Sequence, residues 1–327
     1  MTRKLNFLPT KSNLTLHEQL GAGTVGVVYR ATSPDLDTPV AVKLLSPTVT
    51  GNKAITNRFE REIQIMERLN HPHIVRHYGG GQMDGRLFYA MQLLTHGNLK
   101  QYLQDFGPLP WPQTAAFGVQ IASALQHAHN HGVIHRDLKP SNLFFDDRGD
   151  LVLGDFGIAR DTYDSDITDQ GMTVGTYSYM SPEQITADGR ISGKADLYSL
   201  GCVLFEMLTG RVPFQGANFA QVWEQHLHAE RPSVRASGAD CPQWLDDLVQ
   251  KLLAVDPEQR PFNARAVEGV LLQHLIDEFG DQSRELTRRL KSLPGNQLDR
   301  TEPRTWVVWV ALGIAAAGVV IYRLAAE

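Results

Sequence analysis

From Leu14 to about Gln92 the chain is written in short, strand-like runs. "LTLHEQLG", "VGVVYRATS", "PVAVKLLS", "IVRHYGGGQ" and "RLFYAMQLL" set β-branched and aromatic residues between Gly, Pro and Asp, the pattern of strands joined by turns. One stretch breaks that period. Over residues 53–69, Ile55, Phe59, Ile63, Met66 and Leu69 recur at helical spacing and form a single apolar stripe. After Thr95 helical periods take over, in "WPQTAAFGVQIASALQHAHNHG", "DLYSLGCVLFEMLTG" and "CPQWLDDLVQKLLAVDP". The segment 196–210 is apolar almost all round, which predicts a helix buried in the middle of a domain. The pattern thus predicts an α+β chain: a tail over 1–13, a β-rich lobe over 14–94 and a mainly helical lobe over 95–276.

Several polar residues cut across this pattern. Glu62 lies in the middle of the apolar stripe, three residues after Phe59 and four before Met66. An acid on a buried face requires a cation, and Lys43, at the end of the apolar run "VAVK", is the candidate. "GAGTVGVVY" places Gly21, Ala22, Gly23 and Gly26 just before Val28, and glycines let a backbone approach phosphate oxygens closely. A strand follows them, not a helix, which favours a hairpin over phosphates and disfavours a dinucleotide fold. No GxxxxGK[ST] loop occurs in the sequence. Farther on, "VIHRDLKPSNLFF" holds charged residues between apolar runs, and "DFG" begins thirteen residues past Asn142. Asp137, Lys139, Asn142 and Asp155 supply a base, a cation and two oxygen ligands suited to a hard divalent ion such as Mg2+.

Composition changes the picture at two points. A net charge of −5 gives no electrostatic reason for a nucleic-acid partner, and two cysteines exclude a disulfide framework. The C-terminal run "WVVWVALGIAAAGVVIY", residues 306–322, carries no charge and has Trp306, Trp309 and Tyr322 where interfacial aromatics belong. It reads as a single-pass transmembrane anchor in membrane lipid, with a charged linker over 277–305 before it and a stub over 323–327 after it. A hydrophobic helix docked on the main domain is the alternative, but such a helix keeps a polar face. Gly313 and Ala317 form a small-xxx-small pair that could join two anchors into a homodimer.

Taken in order, "GAGTVGVV", "VAVK", "HRDLKPSN", "DFG" and "SPE" resemble the eukaryotic-type protein kinase family, over about residues 14–276. "GIAR", "GTYSYMSPEQ" and "DLYSLGCVLFEMLTG" look most like its bacterial membrane-anchored Ser/Thr branch, and "DLKPSN" is the Ser/Thr form. The resemblance implies a bilobal protein kinase fold and transfer of the ATP γ-phosphate to Ser/Thr hydroxyls of proteins. It implies that Lys43, paired with Glu62, holds the α/β-phosphates, that Asp137 is the base, and that Lys139 neutralises the moving phosphoryl group. Asn142 and Asp155 would hold Mg2+, with Mn2+ as the other metal to consider. Adenine would lie between Val28 and Ala41 above and Phe144 below, bonded to backbone near Gln92 and Leu94, with Met91 guarding the deeper pocket. Glu183 with Arg260, and Asp196, are implied as structural.

Three residues depart from the family pattern: Gln92 replaces the usual hinge acid, Phe144 is larger than usual, and Gly154 is smaller. Arg136 implies a phosphate partner on the activation segment, for which Thr173 and then Thr168 are the expected autophosphorylation sites, ahead of Thr162 and Ser165. Thr176 is expected to bond Asp137 and Lys139. ATP and reduced cysteines favour a kinase domain on the cytoplasmic face of the cell membrane. The rival reading is a nucleotide-binding scaffold that has lost catalysis; intact Lys43, Asp137 and Asp155 argue against it.

Overall fold

The structure, a computed structural model, describes residues 14–23, 26–46, 53–156, 177–187 and 191–280. Thr162, Ser165, Thr168, Thr173, Thr176, the apolar run 306–322 and its Gly313–Ala317 pair lie outside the described residues. Among the described residues no helix is long and apolar enough to cross a membrane.

The first lobe is a five-stranded antiparallel sheet in the order β1-β2-β3-β5-β4. Its strands are β1 (Thr15–Gly23), β2 (Gly26–Thr32), β3 (Val40–Leu45), β4 (His77–Met83) and β5 (Arg86–Gln92). Register decides which residues share a face. Val28 lies opposite Lys43, Ala41 opposite Met91, and Lys43 opposite Tyr89. Directly opposed residues point the same way, so Val28, Ala41, Lys43, Tyr89 and Met91 line one face. The alternate residues Val40, Val42, Leu44, Phe88 and Ala90 form a small core on the other face, with Leu14, Leu16 and Leu36 against it. A slip of one residue would bury Lys43 in that apolar core.

Helix α1 (Lys53–Met66) packs on the lobe through Phe59, Ile63 and Met66, all buried. The apolar stripe continues to Leu69, also buried, but the helix ends at Met66 and a turn carries the last residues.

The second lobe begins at α2 (Leu99–Phe106), where Asn98 and Gln101 form a reciprocal capping box. Helix α3 (Trp111–Asn130) follows, then the hairpin β6 (Leu143–Phe145) and β7 (Leu151–Leu153). The remaining helices are α4 (Pro182–Thr186), α5 (Gly193–Thr209), α6 (Phe219–His228), α7 (Gln243–Leu252) and α8 (Ala264–Phe279). As its sequence predicts, α5 is the buried centre: Leu197, Tyr198, Leu200, Cys202, Val203 and Leu204 have no exposed surface. Helices α3 and α7 pack on it, and α8 lies along α3. The helical lobe runs past the expected boundary at 276, because Leu275 is buried and the Phe279 ring stacks on Trp111 at 5.6 Å.

Candidate active site

The segment from His135 to Asn142 is held from beneath. Asp196, at the start of α5 and wholly buried, accepts the backbone N–H groups of His135 (2.9 Å) and Arg136 (2.8 Å) and the ring of His129 (2.7 Å). Burial pushes the Asp196 carboxyl up, but these donors outweigh it and hold the group below its ordinary range. The His135 ring is buried, bonds the Gly154 carbonyl at 2.9 Å and meets the Phe156 ring at 4.7 Å. Arg136 has a φ of 62°, a strained conformation for a residue with a side chain, and Asp196 and the Gln184 amide on its carbonyl (3.0 Å) fix it.

On this support the chemistry-bearing side chains form two groups. Lys139 Nζ lies 2.9 Å from Asp137 Oδ2. Asn142 donates its amide nitrogen to Asp137 O (2.8 Å) and Oδ2 (3.3 Å), which leaves Oδ1 as the atom able to meet a cation. Asp155, also strained with a φ of 52°, places its carboxylate against Lys43, Nζ to Oδ1 2.7 Å. Burial alone would push the Lys43 ammonium down, yet Tyr89 and Asp155 hold it above the usual lysine range. Burial likewise acts to raise Asp155, and Lys43 outweighs it, so this carboxylate stays below its ordinary range. An anionic carboxylate and an amide oxygen are the hard donors that Mg2+ or Mn2+ takes, so the residues present fit a divalent ion.

The expected Lys43–Glu62 pair is not formed. Among the described residues no hydrogen bond or ion pair joins the two, and the Lys43 ammonium is directed to Asp155 instead. Glu62 stays on α1, half-buried beside Phe59, Ile63 and Met66.

The register sets the place of the other expected residues. Val28, Ala41 and Met91 share the Lys43 face, and Phe144 stands on β6 opposite Val152. Gln92 donates its backbone N–H to Arg76 O (2.8 Å), so only its carbonyl remains for a base. Leu94 follows β5 and is half-buried. The glycine hairpin forms as predicted, with Gly21 opposite Val28, Ala22 opposite Val27 and Gly23 opposite Gly26. A Cβ at Gly26 would strike the Leu44 carbonyl, so strand contact by itself demands glycine there.

Sequence reasoning missed three residues. Tyr89 donates to Asp155 Oδ1 at 3.3 Å, His77 is buried behind it, and Gln184 secures Arg136. Only the alternation of β5 and β3 pointed to Tyr89, and no local pattern distinguished His77 or Gln184. The implied structural pair is present: Arg260 bonds Glu183 through two nitrogens at 2.7 and 2.9 Å.

Residues 14–271 match the protein kinase domain family. The chain belongs to that family. It is 36% identical over 292 residues to the serine/threonine-protein kinase PknH of Mycobacterium bovis, covering 89% of this chain and 49% of the relative. It is 36% identical over 249 residues to PrkC of Bacillus subtilis, covering 76% of this chain and 38% of the relative. The chain thus spans half or less of the length of these two relatives. Among solved structures, the Mycobacterium tuberculosis PknI kinase domain superposes with a TM-score of 0.64 at 27% identity, covering 80% of this chain and 95% of that one. Rad53 in complex with AMP-PNP superposes with a TM-score of 0.66 at 26% identity, covering 78% and 64%.

Proposed function

We propose that the chain is a protein-serine/threonine kinase that uses ATP and Mg2+ or Mn2+. The observation that carries this reading is that Lys43 of the β lobe meets Asp155 of the helical lobe, while the Gly154 N–H just before Asp155 bonds the Asn142 carbonyl at 2.9 Å and ties it to the Asp137–Lys139–Asn142 cluster. The Ser/Thr kinase names of the relatives and the nucleotide analogue bound by Rad53 support it. In the reaction, a Ser or Thr oxygen bonds the γ-phosphorus, the bond from that phosphorus to the ADP oxygen breaks, and Asp137 accepts the hydroxyl proton. Lys139, beside the Asp137 carboxylate, offsets negative charge on the moving group. A divalent ion held by Asn142 and Asp155 would supply charge neutralisation at the phosphates. Val28, Ala41, Met91 and Phe144 enclose the base, which bonds the Gln92 carbonyl and Leu94. Thr173 and Thr168 are the autophosphorylation sites, read by Arg136, and residues 306–322 tether the chain to the membrane with the kinase domain on the cytoplasmic face.

The test is γ-phosphate transfer from ATP to a generic protein acceptor by the full chain in lipid vesicles, beside Asp137→Asn. The variant is expected to lose activity by about 10²–10⁴-fold, the range for removing a positioned base. Phosphosite mapping on the same reaction is expected to find Thr173 and Thr168, and an unmodified segment in active enzyme would remove that part of the proposal. Deleting 306–322 is expected to release the chain from the vesicles. Saturable Mg-ATP binding without transfer would turn the reading to a scaffold.

A further inference from the structure

Lys43 and Tyr89 are directly opposed on β3 and β5, so both side chains leave the sheet on the cleft face. They end on one atom: Lys43 Nζ lies 2.7 Å, and the Tyr89 hydroxyl oxygen 3.3 Å, from Oδ1 of Asp155. The Tyr89 ring is 3% exposed and is wedged between Phe59 of α1 (6.4 Å) and His77 of β4 (5.7 Å). Both ring nitrogens of His77 are buried with no hydrogen-bond partner, so that side chain contributes packing and leaves the phenol to Asp155. A buried hydroxyl requires an acceptor, and Asp155 Oδ1 supplies it. Asp155 needs such help, because its left-handed backbone is strained and survives only where neighbours over-determine it. Among the described residues no hydrogen bond or ion pair joins Glu62 to Lys43.

We propose that Tyr89 is a positioning residue for the Asp155 carboxylate, a second arm from the β lobe that sets this group beside Lys43. The inference rests on the reading of Asp155 as a ligand of the divalent ion. Nothing in the sequence motifs assigns Tyr89 a part, since it lies two residues before the expected pocket guard Met91.

The experiment measures ATP affinity of the full chain by calorimetry with and without Mg2+, together with kcat and KM, in the wild type, Tyr89→Phe and Tyr89→Met. The gain in ATP affinity on adding Mg2+ is expected to fall about three- to tenfold in Tyr89→Phe, the scale of one net hydrogen bond. The change in kcat follows it, while metal-free ATP affinity stays within about twofold. Tyr89→Met keeps a flexible apolar side chain without a hydroxyl and serves as a second route to the same loss. A folded variant of either kind with wild-type Mg2+ dependence, lowered only in melting temperature, would make Tyr89 purely structural and overturn the proposal. Tighter Mg2+ binding would overturn it too, as the phenol would then compete with the metal. A wild type whose ATP binding ignores Mg2+ would instead overturn the metal reading of Asp155, and this inference with it.

Discussion

Gly154, just before the Asp155 metal-ligand candidate, is glycine for a reason of space. It is not among the residues of positive φ, so its backbone does not require glycine. A Cβ there would lie 3.0 Å from Phe144 Cε2 and 3.0 Å from Val75 Cγ2, tighter than nine in ten Cβ contacts, so the ring would have to give way. The large Phe144 and the missing side chain at 154 look in the sequence like two separate departures from the family pattern; in the fold they are one complementary pair across β6 and β7. Gly154→Ala is therefore expected to cost about 1–3 kcal/mol in chemical denaturation, the scale of overpacking, and to weaken ATP binding as the ring is pressed toward the cleft. Adding Phe144→Leu should recover most of both losses, and simple additivity of the two changes would refute the coupling.

At the scale of elements, joints between helices are made by single saturated side chains. Arg260 has five N–H groups and five acceptor contacts: two to the Glu183 carboxylate on α4, one each to the carbonyls of Lys194, Ala254 and Val255. Its side chain has no exposed surface, and that of Glu183 is 12% exposed. Arg260→Met removes every one of these bonds and strands a nearly buried carboxylate. The expected loss is about 3–5 kcal/mol in denaturant titration, the range for breaking a buried pair by removing one partner. A loss under 1 kcal/mol, typical of surface pairs, would show the joint to be solvated. The elements themselves were largely legible beforehand, because alternation and helical period are local properties. The end of α8 was not: Phe279 belongs to the helix through its contact with Trp111, 168 positions earlier by subtraction of their numbers.

Across the whole molecule, buried and half-buried histidines tie stability to pH. Burial foremost lowers His71, His77 and His226 from 6.5 to about 4. Between those values the unfolded chain carries protons at these rings that the folded chain lacks, so stability falls as pH drops from 6.5 toward 4. Near pH 5, unfolding should take up about three protons from these groups, readable by calorimetry in buffers of different ionisation enthalpy. His77→Leu should reduce that uptake by one. Asp155 and Asp196 act in a lower window: their carboxyls are held below 3.8, so the stability they add is lost only as pH falls beneath that value. Uptake independent of His77 would place its ring in contact with solvent.

The sequence by itself determined the order of strands and helices, the buried character of α5, the face of α1 that packs, and the identity of the polar residues at the cleft. These follow from short-range periodicity and from residue types that carry chemistry wherever they stand. The tertiary structure decided which of those residues meet. Lys43 lies 112 positions from Asp155 and takes it as partner over the nearer Glu62. Tyr89 reaches the same carboxylate because of strand register, and Gly154 makes room for a ring ten positions before it on the neighbouring strand, as the difference in their numbers gives. Pairings of this kind depend on distances between side chains that fold together from remote segments, and no local pattern encodes them.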